Sequence, residues 1–577
     1  MRGYYRILTV FLLAIFLASI VRIPIGESCK DIIATPQATG VDYSLLLKVR
    51  DPSRPGLQVL TCVPRGTTYT YHHPWTGQQW DFTVAHTFFG VATKGDTLPS
   101  IVKAGMVLTD AGLAFGDADT PSNWINPTKN AWDDFDWIRY ACQTADNEQQ
   151  AITFLTTDVI DKLHATGVSE NLFLVGPTQS AVIEADAVHY ITSTVENVWV
   201  MSNYPINLWK TEVLKSRQVA RAFNTTKETW ARQGSIVHLG STCGVKILKI
   251  TNSSLTMKPV PSIIFRLVGQ GNPVTCTLGQ RATVGPYSVI LQDIQVHKVK
   301  LSVQTAVHAW EQELLSYIQP AIGHITIQDM IIWSRLHATD LDGLRPVCDD
   351  TVPYEAAMVF KVPQEHADLL SSGWFSANHA CSSIYVPVHI CDNDIYDPYQ
   401  TGDAAQLSLD LLKKYGHSAL IPSCENVEEV FLAENNISET IAHAFIHNEI
   451  NITLFMTVID RGMQEQAYLT EQLWLGESNA TRDIIDTIWK DNYSTSLDMM
   501  GNVASILQTM SGTTPTVTQL EDIALSICKT RIDQATILGM NCTEENQEYS
   551  IAKHEFAAGE TINGFIHIQH IFHSTTH

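Results

Sequence analysis

The amino-terminal segment, residues 1–28, decides which residue begins the mature chain. A basic start is followed by an apolar run over residues 7–21, and the small residues Gly26 and Ser28 then precede Cys29. This order is typical of a secretory signal peptide, and small residues at those places suit cleavage after Ser28. The apolar run, about 15 residues, is shorter than the roughly 20 that a membrane-spanning helix needs. We therefore expect signal peptidase to remove residues 1–28, leaving Cys29 first and no stable membrane span.

A cysteine in the first position carries two reactive groups on one residue. Its thiol is a nucleophile, and its free α-amine, with a pKa near ~7.7–8.0, is a usable base at neutral pH. Position alone favours an ordinary disulfide half, as in many secreted proteins. Bacterial lipidation is a further alternative, although Glu27 just before Cys29 fits it poorly. Cys29 is thus a candidate catalytic residue with structural alternatives.

Composition indicates a secreted globular protein of enzyme size. The chain has 577 residues, 45% of them apolar and 17% charged, which is enough for one large core or two moderate ones. The net charge of −23 argues against a nucleic-acid partner. Seven glycosylation acceptor sequences fit an extracellular or lumenal, lysosome-like location. They are Asn224, Asn252, Asn436, Asn451, Asn479, Asn492 and Asn541.

The cysteine count is odd. Secreted cysteines normally pair, so 11 cysteines leave one over, and with Cys29 as the odd one 11 − 1 = 10 allows five disulfides. None lies in a CxxC zinc pattern. Near the end of the chain, His567, His570, His573 and His577 would share one face of a helix, but their neighbours fit a strand or a frayed tail at least as well. We expect no metal and no cofactor.

Hydrophobic spacing predicts an α+β fold. Short β-rich segments come first, two amphipathic helices follow over residues 133–163, and a β-meander covers 171–203. Residues 235–303 contain further strands that could complete one sheet. From residue 398 the pattern is mainly helical. We therefore expect a catalytic domain over 29–397 and a helical C-terminal region over 398–577 packed on it.

Several short motifs occur in a particular order along the first two thirds of the chain. They are Cys29, Pro36-Gln37-Ala38-Thr39, Lys48 with Asp51, the hairpin from Gly105 to Gly116, Ile183-Glu184-Ala185-Asp186 and Ser202-Asn203-Tyr204. In this order they resemble the dipeptidase A and secernin family of N-terminal nucleophile (Ntn) hydrolases. The segments 329–337 and 374–387 are also similar to that family, so the resemblance covers about residues 29–388.

The resemblance implies an αββα sandwich of two antiparallel sheets flanked by helices, with Cys29 at the end of a sheet. It implies cleavage of linear amide bonds through an acyl-enzyme, in which Cys29 attacks and its own amine takes and returns the proton. Asp51 would orient that amine, and Lys48 stands where relatives carry a basic residue. Asn203 falls where relatives place an asparagine able to donate to the oxyanion, an interaction that can be worth roughly 3–4 kcal/mol.

The turn of the 105–116 hairpin departs from the family pattern. Thr109-Asp110 stands where relatives carry Asn-Glu, and Asp117-Ala118 and Val49 also differ. Thr109 could still donate through its hydroxyl or its backbone, which makes Thr109 and Asp110 the candidate oxyanion and substrate-binding pair.

Three functions fit these observations. The first is a secreted dipeptidase-like amidohydrolase, and the second is an N-acyl amide hydrolase or acyltransferase of the same fold. The third belongs to another class: a glycosylated binding or surface protein that keeps the sandwich without the chemistry. The first two require a small peptide or N-acyl amide as substrate.

Overall fold

The structure is a computed structural model of the 577-residue chain. The described residues are 29–51, 55–72, 79–96, 106–120, 134–162, 170–186, 188–208, 226–238, 244–251, 261–268, 273–284, 287–447 and 451–575. The expected signal peptide, the acceptors Asn224 and Asn252, Cys243 and His577 lie outside them. No helix in this part of the chain is both long and apolar enough to cross a membrane.

The strands within these ranges are β1 (Lys30–Ala34), β2 (Tyr43–Arg50), β3 (Gln58–Val63), β4 (Thr68–His72), β5 (Gln79–Thr83), β6 (Phe88–Thr93), β7 (Met106–Thr109), β8 (Ala114–Asp119), β9 (Glu170–Val175), β10 (Ser180–Ala185), β11 (Tyr190–Thr194), β12 (Val198–Ser202), β13 (Lys227–Arg232), β14 (Ile236–His238), β15 (Gly244–Thr251), β16 (Ser262–Leu267), β17 (Val274–Thr277), β18 (Arg281–Val284), β19 (Tyr287–Ile294), β20 (Lys298–Thr305), β21 (Ala356–Pro363), β22 (Ser372–Ser376) and β23 (Val386–His389).

The helices are α1 (Pro36–Thr39), α2 (Asp134–Thr144), α3 (Glu148–Thr153), α4 (Ala306–Ile318), α5 (Ile327–Ser334), α6 (Ala367–Leu370), α7 (Asp397–Thr401), α8 (Asp403–Tyr415), α9 (His417–Phe445), α10 (Ile452–Gly476), α11 (Asn479–Ile485), α12 (Tyr493–Ser511), α13 (Pro515–Ile537), α14 (Thr543–Ala558) and α15 (Thr561–Ser574). A π-helical segment, Phe154–Lys162, continues α3, and a 3₁₀ turn, Gln319–Ala321, follows α4. The fold is therefore α+β, with a helical C-terminal part, as the hydrophobic spacing predicts.

The chain divides into two compact units at places that the sequence did not indicate. One comprises Cys29–Asn224 with Val307–His577, and the other comprises Thr225–Ala306. The C-terminal helices thus belong to the same unit as Cys29, and the predicted boundary at residue 398 does not coincide with this division. Residues 235–303, whose strands could complete one sheet, instead contribute to two four-stranded sheets of the smaller unit, ordered β13-β20-β19-β18 and β14-β15-β16-β17.

The larger unit is built on two antiparallel sheets. A six-stranded sheet has the order β12-β1-β2-β21-β22-β23, and a seven-stranded sheet has the order β11-β10-β9-β8-β7-β6-β3. Strand β1 is interior, so its main-chain groups pair on both sides. The two sheets are in close contact where β8 carries Gly116: a Cβ on this residue would lie 2.7 Å from Asp31 Oδ1 and 3.5 Å from Leu46 Cδ2. Only glycine allows this contact between the sheets.

The turn between β1 and β2 is a short helix. Pro36 occupies the first position of α1, where its missing N–H is not needed. Gly40 ends the helix with φ of +72° and donates its N–H to the carbonyl of Pro36, a left-handed cap that favours glycine. The chain then returns as β2, so β1 and β2 form a hairpin with a helical turn at its tip.

The C-terminal helices are joined to the six-stranded sheet through buried polar contacts. Asp460 of α10 accepts from the backbone N–H of His389 at 2.8 Å and lies 2.7 Å from its Nδ1. Gln464, one turn later, donates to the carbonyl of Pro387 at 2.8 Å. Both contacts lie at β23, the edge strand, so α10 covers a sheet edge whose polar groups would otherwise need water.

Cysteines and glycosylation acceptors have contrasting environments. All ten described cysteines are unbonded, and seven of them are buried. The expectation of five disulfides is therefore not met among them, and buried thiols such as Cys142 and Cys528 donate to main-chain carbonyls. The five described acceptors are all exposed, and their glycosylation stays a prediction. They are Asn436, Asn451, Asn479, Asn492 and Asn541.

Candidate active site

Cys29 lies directly before β1, at the end of an interior strand. In the register of the six-stranded sheet Lys30 pairs with Ser202 on one side and with Val49 on the other, and Asp31 pairs with Lys48. Because side chains alternate between the two faces of a strand, Cys29, Asp31 and Lys48 share one face. That face is the one directed toward Gly116 and the second sheet.

The Lys48 ammonium is the central charge of this group. Its Nζ lies 3.3 Å from Asp31 Oδ2 and 3.2 Å from Asp117 Oδ1, with the side chains of Lys48 and Asp31 fully buried. It also donates to the main-chain carbonyl of Asp117, and it is close enough to Cys29 for the two groups to shift each other's pKa. Burial opposes its charge, but Asp31, Cys29 and Asp117 together raise the pKa of Lys48, so the ammonium stays protonated.

The thiol of Cys29 is kept protonated by its surroundings. The pKa of the Cys29 thiol is raised to about 12, because burial and the nearby Asp117, Asp31 and Asp119 raise it by more than Lys48 lowers it. A thiolate is the reactive form of cysteine. Since the charges around Cys29 do not supply it at neutral pH, attack by this thiol needs a base that removes its proton as the reaction proceeds.

Asn203 follows β12 and stands next to Cys29 in the same register, one position beyond the Lys30–Ser202 pair. Its Nδ2 donates to the main-chain carbonyl of Asp119 at 2.7 Å. An amide nitrogen carries two hydrogens, so one remains that could serve a second acceptor. The residue is 9% exposed, which keeps that donor near the edge of the interior.

Asp51 lies just past β2, three positions after Lys48, and belongs to a second buried cluster. Its Oδ2 lies 3.0 Å from Lys30 Nζ and 3.5 Å from Arg345 Nη2, and Glu355 hydrogen-bonds it. Lys30 also lies 3.6 Å from Glu355. Burial raises the pKa of Asp51, while Lys30 and Arg345 lower it. Asp51, the predicted partner of the α-amine, is thus paired with Lys30 and Arg345, and Lys30 directly follows Cys29 in the chain.

The structure does not bring Thr109 and Asp110 to Cys29. They occupy the turn between β7 and β8, whereas the residues near Cys29, Asp117 and Asp119, lie at the other end of β8, about 16 Å away at ~3.3 Å per residue. The Thr109 hydroxyl accepts from the N–H groups of Ala111 and Leu113 within the turn, at 3.3 and 3.4 Å.

Asp110 has partners of its own at that turn. It lies 2.6 Å from His86 Nδ1 and 3.2 Å from Arg65 Nη2, and it accepts from the N–H of Thr87. The prediction of an oxyanion and substrate-binding pair at residues 109 and 110 is therefore corrected. These residues close a hairpin, and their side chains are satisfied there.

Two residues of the site were missed by sequence reasoning. Asp31 is fully buried beside Lys48, and its Oδ1 has no hydrogen-bond partner among the described residues. Lys30 directly follows Cys29, and its ammonium donates to the Asp51 carboxylate. A charged pair inside an otherwise apolar strand, the sequence Lys-Asp-Ile-Ile-Ala, is the signal that could have identified both.

The chain matches no protein-family model and no curated protein with which it was compared. Among solved structures a penicillin V acylase from Agrobacterium tumefaciens is a distant neighbour, with 13% identity and a TM-score of 0.23. The alignment covers 32% of this chain and 54% of that one, so this chain spans about half the length of that structure. A likeness of this size assigns no activity, and the contacts around Cys29 carry the functional proposal.

Proposed function

We propose that the mature protein is a secreted amidohydrolase of the N-terminal nucleophile type, with Cys29 as the first residue and a dipeptide-like substrate. In this proposal the two antiparallel sheets with their outer helices form the αββα sandwich of that class. The observation that carries it is the buried Lys48 ammonium on the same face of the sheet as the Cys29 thiol, which stands at the head of an interior strand. Residues 1–28 would be removed by signal peptidase.

The chemistry requires a base, and the α-amine of Cys29 would supply it. The amine takes the thiol proton as Sγ attacks the substrate carbonyl carbon, while Lys48 stabilises the developing thiolate. The protonated amine then gives the proton to the leaving nitrogen, the C–N bond breaks, and a thioester remains. Water attacks the thioester, its proton passes to the amine, and the acid product leaves as the thiol re-forms. The free hydrogen of Asn203 Nδ2 would stabilise the oxyanion.

The charge around the thiol favours a substrate that carries an ammonium group. Asp117, Asp31 and Asp119 all act on the Cys29 thiol, and the single Lys48 ammonium neutralises only part of their charge. The remaining carboxylate charge would attract a cation at short range. The free amino group of a dipeptide has this charge, whereas an N-acyl amino acid or N-acyl amide does not. This contrast supports dipeptides over the N-acyl alternative.

Hydrolysis by matched amino-terminal variants tests the mechanism. The secreted chain cut before Cys29 should hydrolyse dipeptides, and a chain with one extra residue before Cys29 should fold but lose most turnover, because its amine becomes a non-basic amide. Cys29→Ala should be inactive, and Cys62→Ala, which changes an exposed cysteine elsewhere, should keep full activity. Asp51→Asn should lower kcat with little effect on KM if Asp51 positions the site through Lys30.

Activity of the extended chain, with the extension verified by mass, would contradict the α-amine mechanism. The assay panel should contain dipeptides, N-acyl amino acids and N-acyl amides at equal folded enzyme concentration. Turnover of the N-acyl compounds alone would replace the dipeptide proposal by the N-acyl one. No turnover of any compound by the cut chain would favour the third hypothesis, a binding protein without chemistry.

A further inference from the structure

A second group of reactive side chains lies in three loops that the proposed mechanism does not use. His337 comes shortly after α5, Cys348 lies in the loop before β21, and Cys381 lies in the loop between β22 and β23. One ring nitrogen of His337 and the sulfurs of Cys348 and Cys381 lie within 4.8 Å of one another, and all three residues are buried. Two thiols and an imidazole that converge in the interior are ligands of a soft or borderline metal ion.

The spacing of these atoms suits a tetrahedral zinc ion. Zinc binds thiolate sulfur at about 2.3 Å and imidazole nitrogen at about 2.0–2.1 Å, so ligand atoms of a tetrahedral site are roughly 3.3–3.8 Å apart. Atoms that already lie within 4.8 Å of one another need small side-chain movements to reach that geometry. A sodium, magnesium or calcium ion would instead require oxygen ligands.

An unused ring nitrogen is the second observation. His337 is 8% exposed, and its Nε2 is a buried atom without a hydrogen-bond partner among the described residues. Its Nδ1 lies 3.9 Å from Asp350 Oδ1, and its ring stacks on that of His417 with centroids 3.9 Å apart. A buried polar atom of this kind is costly unless something binds it. A metal ion bound through Nε2 would satisfy this atom, whereas a disulfide between the two cysteines would leave it unpaired.

His379 offers a fourth ligand with its support already in place. It lies in a second group that shares Cys348, in which the ligand atoms of Cys348, Glu355 and His379 are within 4.8 Å of one another, and its Nδ1 is 3.2 Å from Glu355 Oε2. Metal-binding histidines commonly make such a hydrogen bond to a carboxylate, which fixes the orientation of the ring. Two thiolates would balance the two charges of a zinc ion, so the occupied site would be neutral in the interior.

We propose that Cys348, Cys381, His337 and His379 bind one structural zinc ion. Four protein ligands without an open position are the mark of a structural site, and this one would tie together the end of α5, the loop before β21 and the loop between β22 and β23. The proposal is independent of the proposed hydrolase activity. It also departs from the sequence-based expectation of no metal, which followed from the lack of a CxxC pattern.

Metal analysis of the full-length secreted protein tests the site. After dialysis against metal-free buffer, elemental analysis should find about one zinc per chain, as a closed four-ligand site would retain. Cys348→Ser/Cys381→Ser should lose the zinc, and Cys142→Ser, which changes a buried cysteine in a different core cluster, should keep it. Zinc retained by the double variant would overturn the proposal, as would a wild-type protein without zinc whose peptide map shows a disulfide between Cys348 and Cys381.

A measurement on the wild-type chain guards against misfolding of the double variant. Replacement of zinc by Co²⁺ should give the visible absorption of a tetrahedral ion together with sulfur-to-metal charge-transfer bands. Removal of the metal should lower Tm, and added zinc should restore it, because a ligand that binds the folded state stabilises it. Cobalt spectra without sulfur bands would overturn the assignment. The inactive chain extended before Cys29 should still contain zinc, which separates this test from that of the hydrolase.

Discussion

At the scale of single residues, the Lys48 ammonium interacts with the thiol and with two carboxyl groups of the candidate site. It neutralises part of the charge of Asp31 and Asp117 and lowers the pKa of the Cys29 thiol. Burial raises the pKa of both carboxyl groups, and Lys48 lowers it. When one partner of a buried ion pair such as this is removed, the free energy of unfolding of the protein falls by roughly 3–5 kcal/mol.

We expect Lys48→Met to slow alkylation of Cys29 and to shift its pH dependence upward, because the charge that lowers the thiol pKa is lost. The measurement is the rate of reaction with iodoacetamide across pH, followed by mass spectrometry of the peptide that carries Cys29. Lys361→Met is the matched control, since Lys361 lies in the same sheet but pairs with Glu439. That control should lose stability without changing the reactivity of Cys29. Equal alkylation profiles in both variants would show that Lys48 does not act on the thiol.

At the scale of elements, one ion pair holds the loop between β22 and β23 against the helices. Arg335, at the end of α5, donates to both carboxylate oxygens of Glu428 in α9, at 2.7 and 2.6 Å. It also donates to the carbonyls of Ala380 and Ser383 in the loop, at 2.8 and 3.3 Å. Both charged side chains are 3% exposed, so neither can exchange its partner for water.

Glu428→Gln should lower the free energy of unfolding by roughly 3–5 kcal/mol, because it leaves the Arg335 guanidinium buried without its countercharge. Asp533→Asn breaks the exposed pair of Lys529 and Asp533, one turn apart in α13, and should change stability by no more than about 0.5 kcal/mol. Urea unfolding followed by tryptophan fluorescence measures both. A loss in Glu428→Gln no larger than that of the surface variant would mean that water reaches Arg335.

Elements with local signals were predictable, and their long-range partners were not. The split of residues 133–163 into two helices was visible in the sequence and coincides with Asn147, whose side chain caps α3 by accepting from the N–H of Gln150 at 3.0 Å. The pairing of β2 with β21 joins residues such as Leu46 and Phe360, and no local pattern specifies so distant a partner. The alternative of a strand or frayed tail for the final histidines is corrected, since most of them lie in α15.

In the candidate site, too, some features were predictable from the sequence and others were not. The resemblance and the register agree in bringing Cys29, Lys48 and Asn203 together, because all three depend on β1 and its two direct neighbours. The hairpin turn at Thr109 and Asp110 was recognisable, but sequence alone does not say which end of a strand faces a given residue of another sheet. Besides Lys30 and Asp31 of β1, sequence reasoning missed Glu355 beside Asp51 and His379 of the proposed zinc site, which come from loops far along the chain.

At the scale of the whole molecule, a buried acid makes stability depend on pH. Glu471 of α10 accepts from the N–H of Ile384 and the hydroxyl of Ser383, at 2.7 and 3.2 Å. Burial raises the pKa of Glu471 from 4.5 to about 8. The folded state therefore holds a proton that the unfolded chain releases above about pH 4.5, so this contribution to stability is complete below that pH and is lost as the pH rises through about 8.

Glu471→Gln should remove this pH dependence, because glutamine has the shape of the protonated acid and does not titrate. Relative to wild type, the variant should gain stability steadily between pH 5 and 8, at about 1.4 kcal/mol per pH unit. Chemical unfolding at a series of pH values measures the gain. Glu477→Gln, at the end of the same helix, is the control and should leave the slope unchanged. If the free energies of unfolding of wild type and Glu471→Gln changed with pH in parallel, Glu471 would not be protonated in the folded state.

The interior position of β1 has a consequence for the timing of maturation. A peptidase needs an extended, accessible chain, yet Lys30, the second residue after the proposed cut, is paired on both sides once β12 has joined the sheet. The ribosome reaches Ser202 roughly 10–35 s after it has made Cys29, at ~5–20 residues per second. Cleavage would have to happen within that interval, while the chain is still crossing the membrane. A precursor that escaped it would close the sheet over its own cleavage site and stay a permanent zymogen.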